Sequence, residues 1–346
     1  MRVVAAMSGG VDSSVVAALL LEQGHEVIGV HMKLHEVEEG EAGHCCGLDD
    51  AMDARMVADT LGIPFYVMDL REAFKRAVMD DFTENYRAGR TPNPCIRCNG
   101  VLKFRVLLQR AKALGASHLA TGHYAKVTPD GRLFRAVDHR KDQSYFLFPA
   151  KREAFQQTLF PLGGMTKPEV REHAERFGLV TSSKPESQEV CFIPDDDHTR
   201  FIKEQQPDLD GAGEIVDESG TVLGQHDGYF RYTIGQRRGL GVAVGYPLYV
   251  LRINPVTRQV VVGPSERLQE QGLVASGMNW FRTPESGEDI HVRIRHNGGL
   301  MPATVSGVDP ITVHFKAPAR AVAPGQGVVL YAGDEVVGGG WIERAL

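Results

Sequence analysis

The sequence of 346 residues lacks a long apolar run, a leader pattern and an excess of positive charge. No window approaches the roughly 18 consecutive apolar residues that a membrane-spanning helix requires. The first residues, MRVVAAM, begin a strand pattern instead of a basic stretch followed by an apolar one, so we expect a cytoplasmic protein with no secretory signal and no membrane partner. The 38 basic and 44 acidic side chains give a net charge of −6, which argues against indiscriminate coating of nucleic acid but permits a local RNA-binding surface.

Cysteine is also scarce, and the five that occur (Cys45, Cys46, Cys95, Cys98 and Cys191) do not predict a disulfide framework. Cys95 and Cys98 form a C-x-x-C pair on a proline-stiffened segment that enters a helix, where a lowered thiol pKa favours the reactive thiolate. The same spacing is half of a zinc site, although no second pair or suitably spaced histidines complete it. For Cys45 and Cys46 we expect a structural or incidental role.

The chain has two parts with different patterns of predicted secondary structure. Buried strand patterns alternate with helical patterns over the first part, which predicts an α/β domain with a doubly wound parallel sheet over residues 1–204. Short alternating runs and glycine turns follow, including a hairpin turn at 218–220. They predict a central, mostly β domain over 205–275 and a C-terminal all-β barrel over 276–346.

A phosphate-binding loop is predicted between the first strand and the first helix, in the sequence Ser8-Gly9-Gly10-Val11-Asp12-Ser13-Ser14. Backbone N–H groups and the helix dipole can hold a phosphate there, although the loop lacks a lysine directed at the phosphates. The plain alternative is a glycine turn with a Ser or Asp cap. The loop resembles the pyrophosphate loop of the N-type ATP pyrophosphatases, which cleave ATP to AMP and pyrophosphate. That resemblance implies the superfamily and a Rossmann-like adenylation domain over 1–204, but not the substrate.

Five further segments, in order, extend the resemblance over nearly the whole chain: Asn93–Asn99, Ala120–Ala125 (ATGHYA), Lys141–Leu147 (KDQSYFL), Ser187–Pro194 (SQEVCFIP) and Tyr232–Gly241 (YTIGQRRGLG). With them the chain resembles the tRNA-specific 2-thiouridylase family, which thiolates the wobble uridine of certain tRNAs. The resemblance implies ATP and Mg²⁺ as cofactors, and tRNAs for Lys, Glu and Gln as substrates. It also implies a cysteine desulfurase or a sulfur-relay protein as partner.

The resemblance assigns roles to individual residues. Cys98 matches the nucleophile and Cys191 the persulfide carrier, with a Cys98–Cys191 disulfide formed in the cycle, while Asp12 would position pyrophosphate or Mg²⁺. The expected ATP contacts are Ala6, Met7, Ser8, Gly9, Gly10, Val11, Asp12, Ser13, Met32 and Gly122. The expected contacts with tRNA or its target base are Asn93, Pro94, Cys95, His123, Lys141, Asp142, Gln143, Arg295, His296 and Gln326.

The expected chemistry is ATP-dependent adenylation of the uridine C2 oxygen, followed by sulfur transfer to C2. The sulfur arrives either from the Cys191 persulfide directly or as hydrosulfide freed by Cys98. Cys95 stands where other family members have Asp, so Cys95, Cys98 and Cys191 are alternative ligands for a [4Fe–4S] cluster that would deliver the sulfur.

Two wider alternatives remain, an ATP-dependent ligase of a small metabolite and a non-catalytic tRNA-binding or iron–sulfur protein.

Basic segments supply candidate RNA contacts. Arginine and lysine recur around the 142–143 motif, between residues 135 and 152. The 231–240 segment combines Arg231, Arg237 and Arg238 with neighbouring aromatic side chains at 229, 230 and 232, a combination suited to phosphate contact and base stacking.

Overall fold

The computed structural model describes residues 1–35, 48–185, 190–193 and 195–346. Cys45 and Cys46 lie outside the described residues, as does part of the Ser187–Pro194 motif. The chain divides into two compact units: the first contains Met1–Met79, Cys95–Asp196 and Asp334–Val336, and the second contains Asp80–Pro94, Asp197–Gly333 and Val337–Leu346. None of the described helices is long and apolar enough to cross a membrane.

The first part of the chain alternates strands with helices. In chain order its elements are β1 (Arg2–Ala6), α1 (Val11–Glu22), β2 (Glu26–Lys33), α2 (Leu48–Leu61), β3 (Phe65–Asp69), α3 (Arg71–Phe74), a π-helical segment (Lys75–Met79), α4 (Asp80–Arg87), α5 (Pro94–Arg97), a second π-helical segment (Cys98–Leu107), α6 (Leu108–Ala113), β4 (His118–Ala120), β5 (Ala125–Val127), β6 (Leu133–Arg135), α7 (Arg152–Phe155), β7 (Thr158–Leu159) and α8 (Lys167–Arg176).

The later part is dominated by strands. After α9 (His198–Gln205) come β8 (Gly213–Val216), β9 (Val222–His226), β10 (Tyr249–Asn254), β11 (Gln259–Gly263), β12 (Gln269–Trp280), β13 (Ile290–Arg293), β14 (Met301–Gly307), β15 (Ile311–Arg320), β16 (Gly327–Ala332) and β17 (Glu335–Ala345). Short 3₁₀ turns lie at Ser144–Phe146, Pro161–Gly164, Tyr229–Arg231 and Ser265–Leu268.

The first unit is organised by a parallel sheet with the strand order β3-β2-β1-β4-β7, as far as the structure describes the chain. Its central strand β1 contains Val3, Val4 and Ala5, which are fully buried, and α1 is buried around most of its circumference. The chain runs from β1 outward to β2 and β3, and then returns to the other side of β1 as β4. Ligands of such sheets bind at the carboxyl ends of the strands where the order reverses, so the β1–β4 boundary is the expected place for a site.

The second unit is built from β-structure. β8 and β9 form the predicted hairpin, and Gly220 occupies its turn with a φ of 87°. Among the described residues, six strands (β12 to β17) form an antiparallel barrel that closes where β12 pairs with β17, from Leu273↔Ala345 to Trp280↔Gly338. Leu273, Val292, Ile311 and neighbouring apolar side chains fill its core. The predicted parallel α/β sheet and C-terminal barrel are confirmed, whereas the boundaries at 205 and 276 stay predictions.

Two element boundaries differ from the sequence-based expectation. The sequence SHLATGHY at 117–124 has the pattern of a strand, but the structure has only β4 there, so Thr121, Gly122 and His123 lie beyond its carboxyl end. The sequence pattern predicts a helix over 99–115, but the helical run begins at Pro94, which places Cys98 within this run and not at its start. Both differences matter for the chemistry of the site.

Candidate active site

The predicted phosphate loop is a tightly folded turn between β1 and α1. Gly9 has a φ of +80°, and a Cβ added there would lie 2.2 Å from the carbonyl oxygen of Asp50, so only glycine fits. The Ser13 hydroxyl accepts from the Ser8 N–H at 3.1 Å and donates to the Gly10 carbonyl at 3.1 Å. Within the described residues no side chain caps α1 at Gly10, so the first amides of the helix face the position that an anion favours.

Gly122 forms the second wall of this loop. A Cβ at Gly122 would lie 3.1 Å from the Ser13 nitrogen and 3.2 Å from the Asp12 Cβ, so the chain beyond β4 touches the amino end of α1. The structure therefore brings the predicted ATP contacts at residues 6–13 together with Gly122 at the strand-order reversal. Met32 lies near the end of β2, the neighbouring strand. Their contacts with ATP stay predictions.

The cation that the loop itself lacks is supplied by Lys167, which the sequence reasoning missed. Its Nζ donates to Asp12 Oδ1 at 2.7 Å, and the Tyr124 hydroxyl donates to the same oxygen at 2.9 Å. Lys167 is buried and is the first residue of α8, whose amino end is closed by a capping box between Thr166 and Glu169. One sequence feature could have indicated an anionic partner for Lys167. A lysine at a helix amino terminus opposes the helix dipole and needs a compensating anion.

The cysteines that the structure describes (Cys95, Cys98 and Cys191) are all thiols. Burial raises the pKa of the Cys98 thiol to about 12; Lys103 lowers this pKa, and the charges of Cys191 and Cys95 raise it. These interactions place Lys103 and the other two thiols within electrostatic range of Cys98. The expected lowering of the thiol pKa is wrong for Cys98, because Cys98 lies inside the helical run and desolvation dominates.

The structure does not fit either metal alternative for these cysteines. Within residues 1–35, 48–185, 190–193 and 195–346, no group of three or more His, Cys, Asp or Glu side chains is arranged to hold a metal ion. Cys95, Cys98 and Cys191 therefore do not form the ligand set expected for a [4Fe–4S] cluster, and the C-x-x-C pair has no zinc partners there.

His123 links Gly122, which lies against the phosphate loop, to Lys103, whose charge acts on the Cys98 thiol. It follows Gly122 and is buried beside Phe104 and Phe160, where burial lowers its pKa well below the usual value and keeps the ring neutral. Its Nδ1 lies 2.6 Å from the Thr121 hydroxyl, and its Nε2 lies 3.4 Å from Lys103 Nζ. The ring packs among aromatic side chains and faces Lys103, and its contact with tRNA stays a prediction.

Comparisons with known proteins agree with this arrangement. Residues 1–195 match a family model described as a tRNA methyl transferase HUP domain, 199–264 a tRNA methyl transferase PRC-barrel domain, and 270–342 an aminomethyltransferase β-barrel domain. A protein of Geobacter metallireducens named tRNA-specific 2-thiouridylase MnmA is 51% identical over 100% of this chain and 97% of its own length. One of the same name from Carboxydothermus hydrogenoformans is 50% identical over 100% and 98%.

The chain belongs to the tRNA-specific 2-thiouridylase family. The family resemblance drawn from the motifs is confirmed, and with it the prediction of an enzyme of tRNA modification. Among solved structures, a 4-thiouridine synthetase–RNA complex with bound ATP is similar over 60% of this chain and 50% of that chain, with 18% identity and a TM-score of 0.36. A likeness of that size adds nothing to the assignment.

The motif at 141–143 has an internal role in this member of the 2-thiouridylase family. Asp142 is 2% exposed and accepts from the Ala136 N–H (3.2 Å) and from the Ser144 N–H (3.2 Å) and hydroxyl (3.0 Å). Gln143 exchanges two hydrogen bonds with the Tyr124 backbone. Lys141, by contrast, is half-exposed. The tRNA contacts of Lys141, Asp142 and Gln143 stay predictions.

The expected tRNA contacts of the second unit also make internal hydrogen bonds. Gln326 Nε2 donates to the carbonyls of Thr91 (3.0 Å) and Pro92 (3.1 Å), and so holds the segment that leads to Asn93 and Pro94. Arg295 Nη2 donates to the carbonyls of Ala321 (2.6 Å) and Ile234 (3.2 Å). His296 is half-buried. The tRNA roles of Asn93, Pro94, Cys95, Arg295, His296 and Gln326 stay predictions.

The aromatic stacking expected near residue 230 is wrong. Tyr229, Phe230 and Tyr232 are buried, and Arg231 pairs with Asp227. Three exposed arginines nearby, which we call the arginine face, have no carboxylate partner in the described part of the chain: Arg237, Arg238 and Arg320. Two contacts link Arg320 to residues 234–236, which precede Arg237. Arg295 donates to the carbonyls of Ile234 and of Ala321, the residue after Arg320. The Gln236 carbonyl accepts from the Val250 N–H, and the neighbouring Tyr249 ring lies under the Arg320 guanidinium.

The shifted pKa of Cys98 predicts its pH-dependent reactivity. With a pKa of about 12, about one Cys98 in 10⁴ is a thiolate at pH 8. The rate of alkylation of the Cys98 peptide by iodoacetamide, followed by mass spectrometry, should rise about tenfold per pH unit up to about pH 10. In the urea-unfolded chain the same peptide should level off near the ordinary thiol pKa of about 8.5. A plateau below pH 9 in the folded protein would contradict the assignment.

Proposed function

We propose that this protein is an ATP-dependent tRNA 2-thiouridylase that adenylates the C2 oxygen of the wobble uridine and replaces it with sulfur. One observation supports this above the others: two consecutive residues join the nucleotide loop to the thiols. Gly122 touches the amino end of α1, and His123 contacts Lys103, whose charge acts on Cys98. One short segment of the first unit thus lies beside both the proposed phosphate site and the lysine whose charge acts on Cys98.

The phosphate half of the site suits release of pyrophosphate. The amino end of α1 and the Lys167 ammonium offer donors and positive charge where the phosphates of ATP would develop charge as they leave. Asp12 is the carboxylate that fits Mg²⁺, since Mg²⁺ in nucleotide sites uses one or two carboxylates together with phosphate oxygens. When bound, Mg²⁺ would supply further charge neutralisation for the leaving group.

The sulfur half of the site suits persulfide chemistry. A sulfur donor, a cysteine desulfurase or a relay protein, first converts the Cys191 thiol to a persulfide. The outer sulfur then forms a bond to C2, and the C2–oxygen bond to AMP breaks. The Cys98 thiolate next attacks Cys191 Sγ, so that the S–S bond breaks and its electron pair remains on the sulfur at C2. The products are 2-thiouridine, AMP and a Cys98–Cys191 disulfide, which a two-electron dithiol reductant must reopen.

The arginine face is the proposed contact for the tRNA backbone. Most other exposed arginines of the second unit pair with carboxylates, such as Arg258 with Asp210 and Arg267 with Glu218. Arg237, Arg238 and Arg320 keep their positive charge available for phosphate, which explains how a chain of net charge −6 could bind an RNA. By family resemblance the substrates would be tRNAs for Lys, Glu and Gln.

The decisive experiment measures pyrophosphate release and 2-thiouridine formation with ATP, Mg²⁺, unmodified tRNA and a persulfide donor. We expect release that tRNA stimulates and one thiouridine for each pyrophosphate. Release without tRNA but with a small metabolite would favour a ligase, and methylation of tRNA with S-adenosylmethionine would favour the activity in the family models' description. No turnover in any mixture would favour a non-catalytic RNA-binding protein.

Cysteine variants give the matched control for that experiment. Cys98→Ser and Cys191→Ser should lose thiouridine formation but retain tRNA binding, because each change replaces a single thiol and leaves the arginine face intact. Cys95→Ser should retain thiolation by this route, whereas equal loss in all three variants would contradict the two-cysteine scheme.

Lys167→Met should lower the rate of pyrophosphate release by about 10²–10³-fold, the usual effect of removing one donor that stabilises a developing anion. Lys167→Arg should recover part of the rate. The matched control is Lys112→Met, which changes an exposed lysine of α6 in the same unit. An unchanged kcat for Lys167→Met, with both proteins folded by circular dichroism, would rule out the phosphate role.

Arg237→Gln combined with Arg238→Gln should weaken tRNA binding and leave ATP affinity unchanged. The slope of log K against log salt concentration should become shallower by about 0.7–0.9 for each lost phosphate contact. Arg344→Gln is the matched control, because Arg344 is also exposed and without a carboxylate partner in the described chain. Equal weakening by the control variant would show a diffuse charge effect instead of a defined face.

A further inference from the structure

Cys98 and Lys103 lie one turn apart on the same helical segment. Cys98–Leu107 is π-helical, so its backbone hydrogen bonds join residues five apart in the chain. In an α-helix of 3.6 residues per turn, two residues five apart would instead lie about 140° apart around the axis. Because helical side chains lean towards the amino terminus, the Lys103 side chain leans back towards the turn that carries Cys98.

The Lys103 ammonium is held by a chain of hydrogen bonds that starts on the parallel sheet. Thr121 follows β4, and its N–H donates to the Leu159 carbonyl of β7 at 3.2 Å. His123 Nδ1 lies 2.6 Å from the Thr121 hydroxyl, and His123 Nε2 lies 3.4 Å from Lys103 Nζ. Because an ammonium can only donate, Nε2 accepts, and the neutral ring carries its hydrogen on Nδ1 and donates it to Thr121.

Aromatic side chains fix the His123 ring in this orientation. The ring is buried, and its centroid lies 5.8 Å from that of Phe104 and 5.7 Å from that of Phe160. Phe104 directly follows Lys103 and packs edge-on against Phe155 and Phe160. Burial, and then the charge of Lys103, lower the pKa of His123 well below its usual value, so the ring stays a neutral acceptor.

We propose that Lys103 promotes the attack of Cys98 on Cys191 and that His123 is the residue that positions Lys103, an inference that rests on the proposed function. Cys98 must lose its proton to water before its sulfur attacks Cys191 Sγ. The titratable groups that act on Cys98 have opposite effects, since Lys103 favours the thiolate whereas charges on Cys191 and Cys95 disfavour it. A fixed cation lowers the cost of a negative sulfur where water is excluded.

The first test follows the ionisation of Cys98 in the full-length protein without any substrate. Alkylation of the Cys98 peptide by iodoacetamide should be about tenfold slower in Lys103→Met at each pH below about 10, because removal of a neighbouring opposite charge commonly reduces the ionised fraction by about tenfold or more. Lys103→Arg keeps the charge and should recover most of the rate. Arg105→Met is the matched control, because Arg105 is an exposed cation of the same π-helical segment.

His123→Phe tests whether the histidine acts through Lys103. Phenylalanine keeps a ring between Phe104 and Phe160 but offers no acceptor to the ammonium and no donor to Thr121. Alkylation of Cys98 should slow to a rate between those of the unmodified protein and Lys103→Met. The double variant should be no slower than Lys103→Met alone, because a positioning residue has no effect once the group it positions is removed.

A further readout connects this role to sulfur transfer. In the proposed reaction the tRNA is joined to Cys191 by a disulfide, after the outer sulfur bonds to C2 and before Cys98 attacks. Lys103→Met should slow that attack, so a protein–tRNA adduct that dithiothreitol releases should accumulate on denaturing gels, as in Cys98→Ser. Pyrophosphate release should stay unchanged, because base activation precedes this step.

The inference is refuted by an unchanged Cys98 alkylation rate in Lys103→Met, or by equal slowing in Arg105→Met. Independent, multiplying effects of Lys103→Met and His123→Phe would refute the positioning role of His123. Absence of tRNA-stimulated pyrophosphate release in the unmodified protein would instead refute the proposed function, while the alkylation comparisons would still decide whether Lys103 acts on Cys98.

Discussion

The phosphate loop is confined between two backbone surfaces that leave no space for side chains. The carbonyl of Asp50 lies against Gly9, and Gly122 lies against the first residues of α1. Because a carbonyl and a main-chain segment cannot yield as a flexible side chain can, the loop is held in one shape before any ligand binds. That shape depends on α2 and on the end of β4, so residues far apart in sequence are fixed relative to the same turn.

Charge at the site is balanced by lysines that arrive from distant parts of the chain. The loop carries Asp12, an unfavourable neighbour for a polyphosphate, and Lys167 neutralises it from α8. Asp50 and Asp53 lie beneath the loop, and Lys184 neutralises them from the segment before Cys191. Each lysine has a second consequence, since it fixes the position of the element that carries it. Neutralisation and alignment are therefore accomplished by the same contacts.

Local patterns were sufficient to predict most of the fold, because β1, α1 and the β8–β9 hairpin each carry their own periodicity and turn residues. The loop and the thiols were predicted from motifs for the same reason. The pairing of Asp12 with Lys167 could not be predicted, since 155 residues separate them and no local rule joins them. The high pKa of Cys98 was missed because the helix begins five residues before Asn99, which replaces an exposed helix start with a desolvated turn.

The raised pKa of Cys98 would serve a purpose in the proposed reaction. A Cys98 thiolate could attack a persulfide on Cys191 as soon as it formed, and would release the sulfur before the uridine is activated. Desolvation holds Cys98 as a thiol, while Lys103, paired with the neutral His123, is the nearby cation that favours the thiolate. Since His123 follows Gly122, a shift of Gly122 would move the Lys103 ammonium relative to the Cys98 thiol. In the proposed reaction, activation of the base and activation of Cys98 would in this way depend on the same short segment.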